Sequence, residues 1–313
     1  MLWRDVFTEP PTPGGVLAIG NFDGVHIGHQ EVLRVLAVAS RAAGTQATVL
    51  VPDPHPLRVL GGRLAILTPL AERGRLLVRG GAEQLLRLPF DAALASMAPE
   101  EFVDHVVLGL IRPVRVVVGF NFTYGSKARG DARSLRAQLA AHGVPLDVVP
   151  PAKALGQTVS SSRVRDALGR GDLAAARGML GRDFAVRGEV RSGARRGRTL
   201  GFPTANVHCE PDQAMPAPGV YAVRCLVDGR VVAGAASLGP RPTFDEDAPL
   251  LEVHLLDFSG DLYGHDLVVA FAAFLRPIER YASEEELRLQ IARDCEDARS
   301  ALGVATDFGD MLG

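Results

Sequence analysis

Short, wholly apolar runs alternate with amphipathic stretches through the first half of the chain. We predict buried strands at residues 15–19, 46–51, 115–119 and 146–149. Apolar positions with helical spacing predict the helices between them, at residues 30–43, 69–80 and 99–110, the second with Thr68 as its N-cap and Pro69 in its first turn. Continuous apolar strands that alternate with helices are typical of a parallel sheet covered on both faces.

The pattern changes to alternation near residue 181. Two alternating stretches, 221–227 and 230–237, flank Asp228–Gly229, which is a strong signal for a two-residue hairpin turn. A second pair of stretches, 251–258 and 262–274, flanks residues 259–261. These alternating stretches predict an antiparallel sheet or a small barrel.

A helix is predicted at the end of the chain. Ser283 and Glu286 have the spacing of a capping box, and one apolar face follows, made of Leu287, Ile291, Cys295 and Ala298. The change from apolar runs between helices to alternating stretches predicts two domains. Residues 1–182 form an α/β Rossmann-like domain, with a parallel sheet and helices on both faces. Residues 183–313 form a small antiparallel β-barrel domain with a C-terminal helix.

Composition limits the chemistry. The chain of 313 residues has a formal net charge of −2, which argues against a dedicated nucleic-acid or membrane-surface binder. Only Lys127 and Lys153 are lysines, and neither has the Gly-Lys-Ser/Thr context of a P-loop. Three widely spaced cysteines exclude a disulfide framework and a CxxC zinc motif. With no signal peptide visible at the N-terminus, we expect a cytoplasmic protein.

The segment from Gly20 to His29 follows the first strand and opens a helix. A helix N-terminus at the end of a parallel strand attracts phosphate, and His26 and His29 add donors beside the flexible Gly28. A tight turn with two solvated histidines is the plain alternative. A zinc site is a weaker one, because no HExxH motif or third ligand stands nearby in sequence.

Three further segments carry polar or ring-shaped side chains at predicted element ends. Val159–Arg165 places hydroxyls and arginines at a helix start, as an anion site or as a simple cap with surface arginines. Asp53–Pro56 and Gly119–Gly125 follow the second and third predicted strands, on the side of the sheet where ligands bind.

The second domain contributes the stretch Gly197–Asn206. An arginine cluster runs into the start of this stretch and consists of Arg191, Arg195, Arg196 and Arg198. Such an arginine cluster is either a solvated turn or an RNA-binding patch, and no aromatic residues interleave with it. Glu252 interrupts an otherwise apolar strand. It is either a functional carboxylate or, together with His254, part of the exposed face of an edge strand.

Taken in order from about Gly15 to Leu302, these motifs resemble the bifunctional bacterial riboflavin kinase/FAD synthetase family. His-x-Gly-His is similar to the nucleotidylyltransferase signature. Class I aminoacyl-tRNA synthetases share that signature but also need a lysine-rich second motif, which two lysines cannot supply. Val159–Arg165 resembles an element that holds ATP phosphates, and Pro203–Asn206 resembles the riboflavin kinase signature.

The resemblance implies ATP, Mg²⁺ and riboflavin, FMN and FAD as ligands, with small-molecule substrates and no nucleic acid or membrane as partners. It implies four catalytic residues: His26, His29, Asn121 and Glu252. It implies ATP-binding residues in both domains: Gly20, Phe22, Asp23, Gly24, Gly28, Ser161, Ser162, Arg163, Arg165, Gly193, Arg196 and Gly201. It implies metal ligation by Thr204 and Asn206, and flavin binding by Pro54, Pro56, Tyr124 and Arg276.

Two departures from the family pattern leave alternatives. Phe120 stands where many relatives carry an acidic or polar residue, and Ala128 where many carry an arginine, with Arg129 one place later. One alternative is therefore a chain whose N-terminal site is degenerate. Another is a module that binds flavin or RNA without turnover.

Overall fold

The computed structural model describes residues 3–192, 200–239 and 250–303. Within them the chain divides into two compact units, one of residues 3–64 with 68–160 and the other of residues 65–67 with 161–303. The division therefore falls before residue 161, whereas the sequence places the domain boundary at 182/183. Compactness does not test where a functional domain ends, so that boundary stays a prediction.

A six-stranded sheet forms the centre of the first unit. Its strands, in chain order, are β1 (Trp3–Asp5), β2 (Val16–Ile19), β3 (Ala47–Asp53), β4 (Gln84–Pro89), β5 (Arg115–Gly119) and β8 (Leu146–Val149). They lie in the order β1-β4-β3-β2-β5-β8, and every neighbouring pair is parallel. The predicted parallel sheet is confirmed. Two small antiparallel pairs accompany it: β6 (Thr123–Tyr124) with β7 (Gly130–Asp131), and β9 (Lys153–Ala154) with β10 (Gln157–Thr158).

Helices connect these strands. They are α1 (Ile27–Ala43), α2 (Pro56–Val59), α3 (Leu70–Arg79), α4 (Ala92–Ser96), α5 (Pro99–Glu101), which runs directly into a π-helix (Phe102–Ile111), a short 3₁₀ turn (Ser126–Ala128), and α6 (Ala132–Ala141). The predicted cap of α3 is wrong by one residue. Pro69 itself occupies the N-cap position in an extended conformation, without a side-chain bond to the helix.

The central strand explains the purely apolar pattern. All four residues of β2 are buried. Leu17 and Ile19 join the core cluster under the π-helix and α6, while Val16 and Ala18 join the cluster under α1. Successive side chains point to opposite faces, so both faces of the sheet are covered.

The sequence did not predict β4. Arg87 interrupts its apolar run, and this side chain bonds Asp5 of the edge strand β1 at 2.9 Å and lies 3.7 Å from Asp53. The strand is therefore recognisable only once its charged partners on neighbouring strands are known.

A closed antiparallel barrel forms most of the second unit. Its strands are β11 (Phe184–Arg191), β12 (Ala205–His208), β13 (Gly219–Val227), β14 (Arg230–Gly239), β15 (Leu250–Leu255) and β16 (Asp266–Arg276), closed in the order β11-β12-β15-β14-β13-β16. The hairpin at Asp228–Gly229 is confirmed. The two stretches around residues 259–261 do not pair with each other, since β15 lies between β12 and β14, and β16 between β11 and β13.

The described residues of this unit also form the helices α7 (Ser161–Gly169), α8 (Leu173–Leu180) and α9 (Glu284–Leu302). The predicted C-terminal helix is confirmed, with Cys295 and Ala298 buried against the barrel. Ser283 caps it as predicted, but Glu286 bonds the backbone N–H of Ala282, one residue before the cap. Among the helices that the structure describes, none is both long enough and apolar enough to span a membrane.

Candidate active sites

His26 and His29 lie together at the start of α1. His26 is the N-cap, and its Nδ1 accepts the backbone N–H of His29 at 3.3 Å. The two rings stack, with centroids 3.7 Å apart and planes 14° apart. Because Nδ1 of His26 accepts a hydrogen bond, Nε2 carries the proton of the neutral ring. The two histidines are therefore neighbours at a helix N-terminus, and their role as phosphate donors stays a prediction.

Gly28 leaves space for the imidazole of His26 in this pair. A Cβ at Gly28 would lie 3.2 Å from the His26 ring, so a larger residue would press on the imidazole. Gly20 has a similar constraint, since its Cβ would lie 3.1 Å from the ring of Phe22. The Phe22 ring is buried beside His29, at 5.2 Å between centroids, so its side chain belongs to the core beneath the loop.

Asp23 is also buried. Its side chain is 1% exposed and accepts the backbone N–H of Thr68 at 3.0 Å, with the guanidinium of Arg73 at 3.5 Å. The sequence predicted an ATP contact here. The structure shows a carboxylate that fastens the loop to the segment before α3, and the ATP contact stays a prediction.

Asn121 follows β5, the neighbour of β2 on the side opposite β3. This is the point at which the strand order reverses, and in open parallel sheets ligands bind outside the carboxyl ends of strands at such a point. Asn121 is exposed, and so is Phe120, at 45%. The switch point thus lies between the histidine loop after β2 and the Asn121 loop after β5.

The predicted flavin residues of the first unit differ in exposure. Pro54 is exposed, and Pro56 is half-buried in the first turn of α2. Tyr124 is only 7% exposed, and its hydroxyl is 3.4 Å from Ser134 and 3.3 Å from Gln138. Phe122, half-buried, stacks on it at 5.6 Å. The Tyr124 ring thus packs in the core beneath the loop, with Phe122 more exposed beside it, and the flavin contact of Tyr124 stays a prediction.

The predicted phosphate segment begins α7, in the second unit. Ser161 and Arg163 are half-buried there, and Ser162 is exposed. Arg165 donates from Nε to the carbonyl of Ala65 at 2.6 Å. Arg165 thus holds a backbone segment of its own unit, and the phosphate role of the four residues stays a prediction.

Glu252 and Asn206 lie directly opposite each other on β15 and β12, and Ser237 is opposite Glu252 on β14. The three share the outer face of the barrel, because Ala235, two residues from Ser237, packs under α9 on that face. Asn206 is 9% exposed and Glu252 half-buried. The carboxylate therefore points outward, but β15 is paired on both sides and is not an edge strand.

Thr204 lies one residue before β12 and is half-buried. Just before it, the Pro203 carbonyl lies 2.8 Å from Nδ1 of His254, on the same face of β15 as Glu252. Gly201 is exposed, with a φ of +86°.

Gly193 and Arg196, which were predicted to bind ATP, lie outside the described residues, as do Arg195 and Arg198 of the arginine cluster. Arg191 pairs with Glu189 at 2.8 Å.

Arg276 is bound to α9. Its Nε and Nη2 each donate to a carboxylate oxygen of Asp294 at 2.7 Å, and Nη1 donates to the Pro277 carbonyl at 3.0 Å. The hydrogen bond to Asp294 raises the pKa of Arg276 above its usual value. The predicted flavin contact stays untested, while the side chain fastens the C-terminal helix.

Sequence reasoning missed Ser237 and Arg73. Ser237 gains its position only from the register of β14 on β15. Arg73 looks like any arginine of an amphipathic helix, and no sequence pattern marks it as buried.

Comparison with known proteins gives the same two parts in the same order. The FAD synthetase family model matches residues 9–163, and the riboflavin kinase model matches residues 180–302. A bifunctional riboflavin kinase/FMN adenylyltransferase of Escherichia coli strain K12 is 37% identical, over 95% of this chain and 96% of its own length. Proteins of that name from Listeria monocytogenes and Bacillus subtilis are 35% and 34% identical, covering 91% and 90% of this chain and 91% of their own lengths.

One solved structure is similar throughout. It comes from Streptococcus pneumoniae, is named a macrolide-efflux protein, and superposes with a TM-score of 0.87 at 31% identity, covering 96% of this chain and 99% of its own. The resemblance drawn from the motifs is confirmed, as are the fold class and the order of the two activities. The chain belongs to the bifunctional riboflavin kinase/FMN adenylyltransferase family.

Proposed function

We propose that the second unit phosphorylates riboflavin to FMN with ATP, that the first unit adenylylates FMN to FAD, and that the residues described above carry these steps. The observation that supports the proposal most strongly is the match to bifunctional relatives over nine-tenths of both chains. In the first unit His26 and His29 are stacked neighbours, and in the second Asn206 lies directly opposite Glu252.

In the kinase reaction Glu252 is the general base. Its carboxylate takes the proton of the riboflavin 5′-hydroxyl, whose oxygen then attacks the γ-phosphorus of ATP while the β-phosphate oxygen leaves. A half-buried carboxylate on a rigid, doubly paired strand is well suited to this task, because the direction in which it points is fixed.

Thr204 and Asn206 are the proposed ligands of Mg²⁺. Hydroxyl and amide oxygens are hard donors of the kind that this ion prefers, and they leave most of its positions for phosphate oxygens and water. No cluster of three or more His, Cys, Asp or Glu side chains suited to a metal occurs in the parts of the chain that the structure describes. The ion would come with ATP and neutralise the charge of the phosphates.

In the adenylyl transfer an oxygen of the FMN phosphate attacks the α-phosphorus of ATP, and pyrophosphate leaves. His26 and His29, with the N-terminal N–H groups of α1, stabilise the negative charge that develops there. No covalent enzyme intermediate is needed. The family resemblance assigns ATP-phosphate binding to Ser161, Ser162, Arg163 and Arg165 at the start of α7, and Asn121 would act beside the reacting phosphates of the first unit.

Incubation of the protein with riboflavin, ATP and Mg²⁺, followed by chromatographic separation of the flavins, tests the proposal. FMN should appear first and FAD after it, with pyrophosphate equal to the FAD formed. FMN without FAD would indicate a degenerate first site. Flavin binding without consumption of ATP would favour a binding module.

A further inference from the structure

Arg73 of α3 is buried although its side chain carries a full charge. It is 3% exposed, and so it has left water almost completely. Its helix has exposed positions available, as its neighbour Arg75 shows. Replacing a buried ion pair with apolar side chains is often neutral or stabilising, so stability alone is a poor reason for an arginine here.

The Arg73 guanidinium bonds both the loop after β2 and the segment before α3. Nη1 donates to the carbonyl of Asn21 at 3.0 Å. Nε and Nη2 donate to the carbonyl of Thr68 at 3.2 Å and 2.9 Å. Asp23, at 3.5 Å, in turn accepts the N–H of Thr68. The planar fork of donors therefore joins two backbone segments and one carboxylate.

The loop that it holds is strained. Phe22, Gly24 and Val25 all have positive φ, at +50°, +83° and +40°. Non-glycine residues adopt this region only where the surroundings enforce it. Immediately after Val25 comes His26, which caps α1 and stacks on His29. A change in the loop between Asn21 and Val25 would therefore move both imidazoles.

We propose that Arg73 is a positioning residue for adenylyl transfer: through Asn21 and Asp23 it holds the loop in the shape that presents His26 and His29. This inference rests on the proposed function of the first unit. Because Arg73 contacts the loop that leads into His26, it acts on the placement of the imidazoles.

The test compares Arg73→Met with Arg75→Met in the full chain. Arg75 is on the same helix but exposed, where it pairs with Glu72, and so it serves as the matched control. For Arg73→Met we expect kcat for FAD formation from FMN to fall about 10²-fold, because a small misplacement of catalytic groups costs that much, while KM for FMN changes less than about threefold. FMN formation from riboflavin should be unchanged in both variants.

Normal kcat for FAD formation in a folded but less stable Arg73→Met protein would overturn the proposal and leave Arg73 a structural residue. If that variant does not fold, Arg73→Lys decides. Lysine keeps the charge but not the fork, so we expect a loss of about tenfold in kcat, and wild-type kcat would overturn the proposal. His26→Ala tests the proposed function separately: FAD formation that survives it would contradict the site itself, whatever Arg73 does.

Discussion

Asn206 lies opposite Glu252 on paired antiparallel strands of the barrel, and the two side chains share its outer face. Directly opposite residues have Cβ atoms about 4.5–5.5 Å apart, so a single phosphoryl group can be in reach of both side chains. The pairing brings together a proposed metal ligand and a proposed base that are separated by more than forty residues in sequence.

Thr204→Val should weaken the response of the kinase to Mg²⁺. The substitution keeps the shape of the side chain and removes its oxygen. We expect the Mg²⁺ concentration for half-maximal FMN formation to rise by roughly tenfold or more. Thr123→Val, at an exposed position of the first unit, is the matched control and should leave it unchanged. An unaltered Mg²⁺ titration in Thr204→Val would remove Thr204 from the ligand set.

Arg276→Met should loosen α9. The change leaves Asp294, which is 4% exposed, without its two bonds from the guanidinium. Removing one partner of a buried ion pair costs on the order of 3 kcal/mol, so the α9 amides should exchange hydrogen roughly 10²-fold faster. Arg288→Met breaks the exposed pair with Glu285 on the same helix and should leave exchange unchanged. Equal protection in the two variants would mean that Arg276 does not hold the helix.

Gly125→Ala should impair the loop that carries Asn121. Gly125 has a φ of +72°, and a Cβ there would lie 2.7 Å from the backbone of Pro99. Gly143→Ala separates the two effects, because Gly143 has a φ of +70° but open space around it. We expect about 1–2 kcal/mol of destabilisation from the conformation alone at Gly143, and clearly more at Gly125, measured by urea unfolding. Equal losses would show that the contact with Pro99 relaxes without cost.

The three cysteines should be unreactive in the folded protein. Burial raises the pKa of Cys209 to about 12 and that of Cys295 to about 11, and it raises the pKa of Cys225 as well. Only the thiolate reacts, so at pH 8 its fraction at Cys209 falls roughly 10³-fold below that of an ordinary thiol, and reactivity should increase with pH. In an Ellman assay at pH 8, almost no thiol of the folded protein should react in a fast phase. After denaturant is added, three thiols should react. A fast native phase would contradict this.

The fold was largely predictable from the sequence because the burial of most strands determines the pattern of apolar residues in them. The four residues of β2 are buried on both faces, and this requires a continuous apolar run. By contrast, β4 contains Arg87, whose carboxylate partners lie on the neighbouring strands β1 and β3. Contacts between strands are not visible in a local pattern, and for that reason this strand was missed.

In the candidate sites, too, local spacing was predictable from the sequence and contacts between strands were not. His26 and His29 are close in sequence and lie at the start of one helix, so their proximity in space followed from local spacing. The opposition of Glu252, Asn206 and Ser237 depends on the register of three strands, and the sequence could assign the first two only through family resemblance. Tyr124 and Asp23 carry suitable chemistry, yet both are buried. Residue type alone could not show which way they point.

The central claim is that two separate sites in one chain make FMN and then FAD. The most direct measurement follows the flavins by chromatography in His26→Ala and Glu252→Ala, each supplied with ATP, Mg²⁺ and either riboflavin or FMN. We expect His26→Ala to accumulate FMN without FAD, with a loss of about 10²–10³ in FAD formation. Glu252→Ala should leave riboflavin unchanged but still convert supplied FMN to FAD. Loss of both activities in either folded variant would contradict two independent sites.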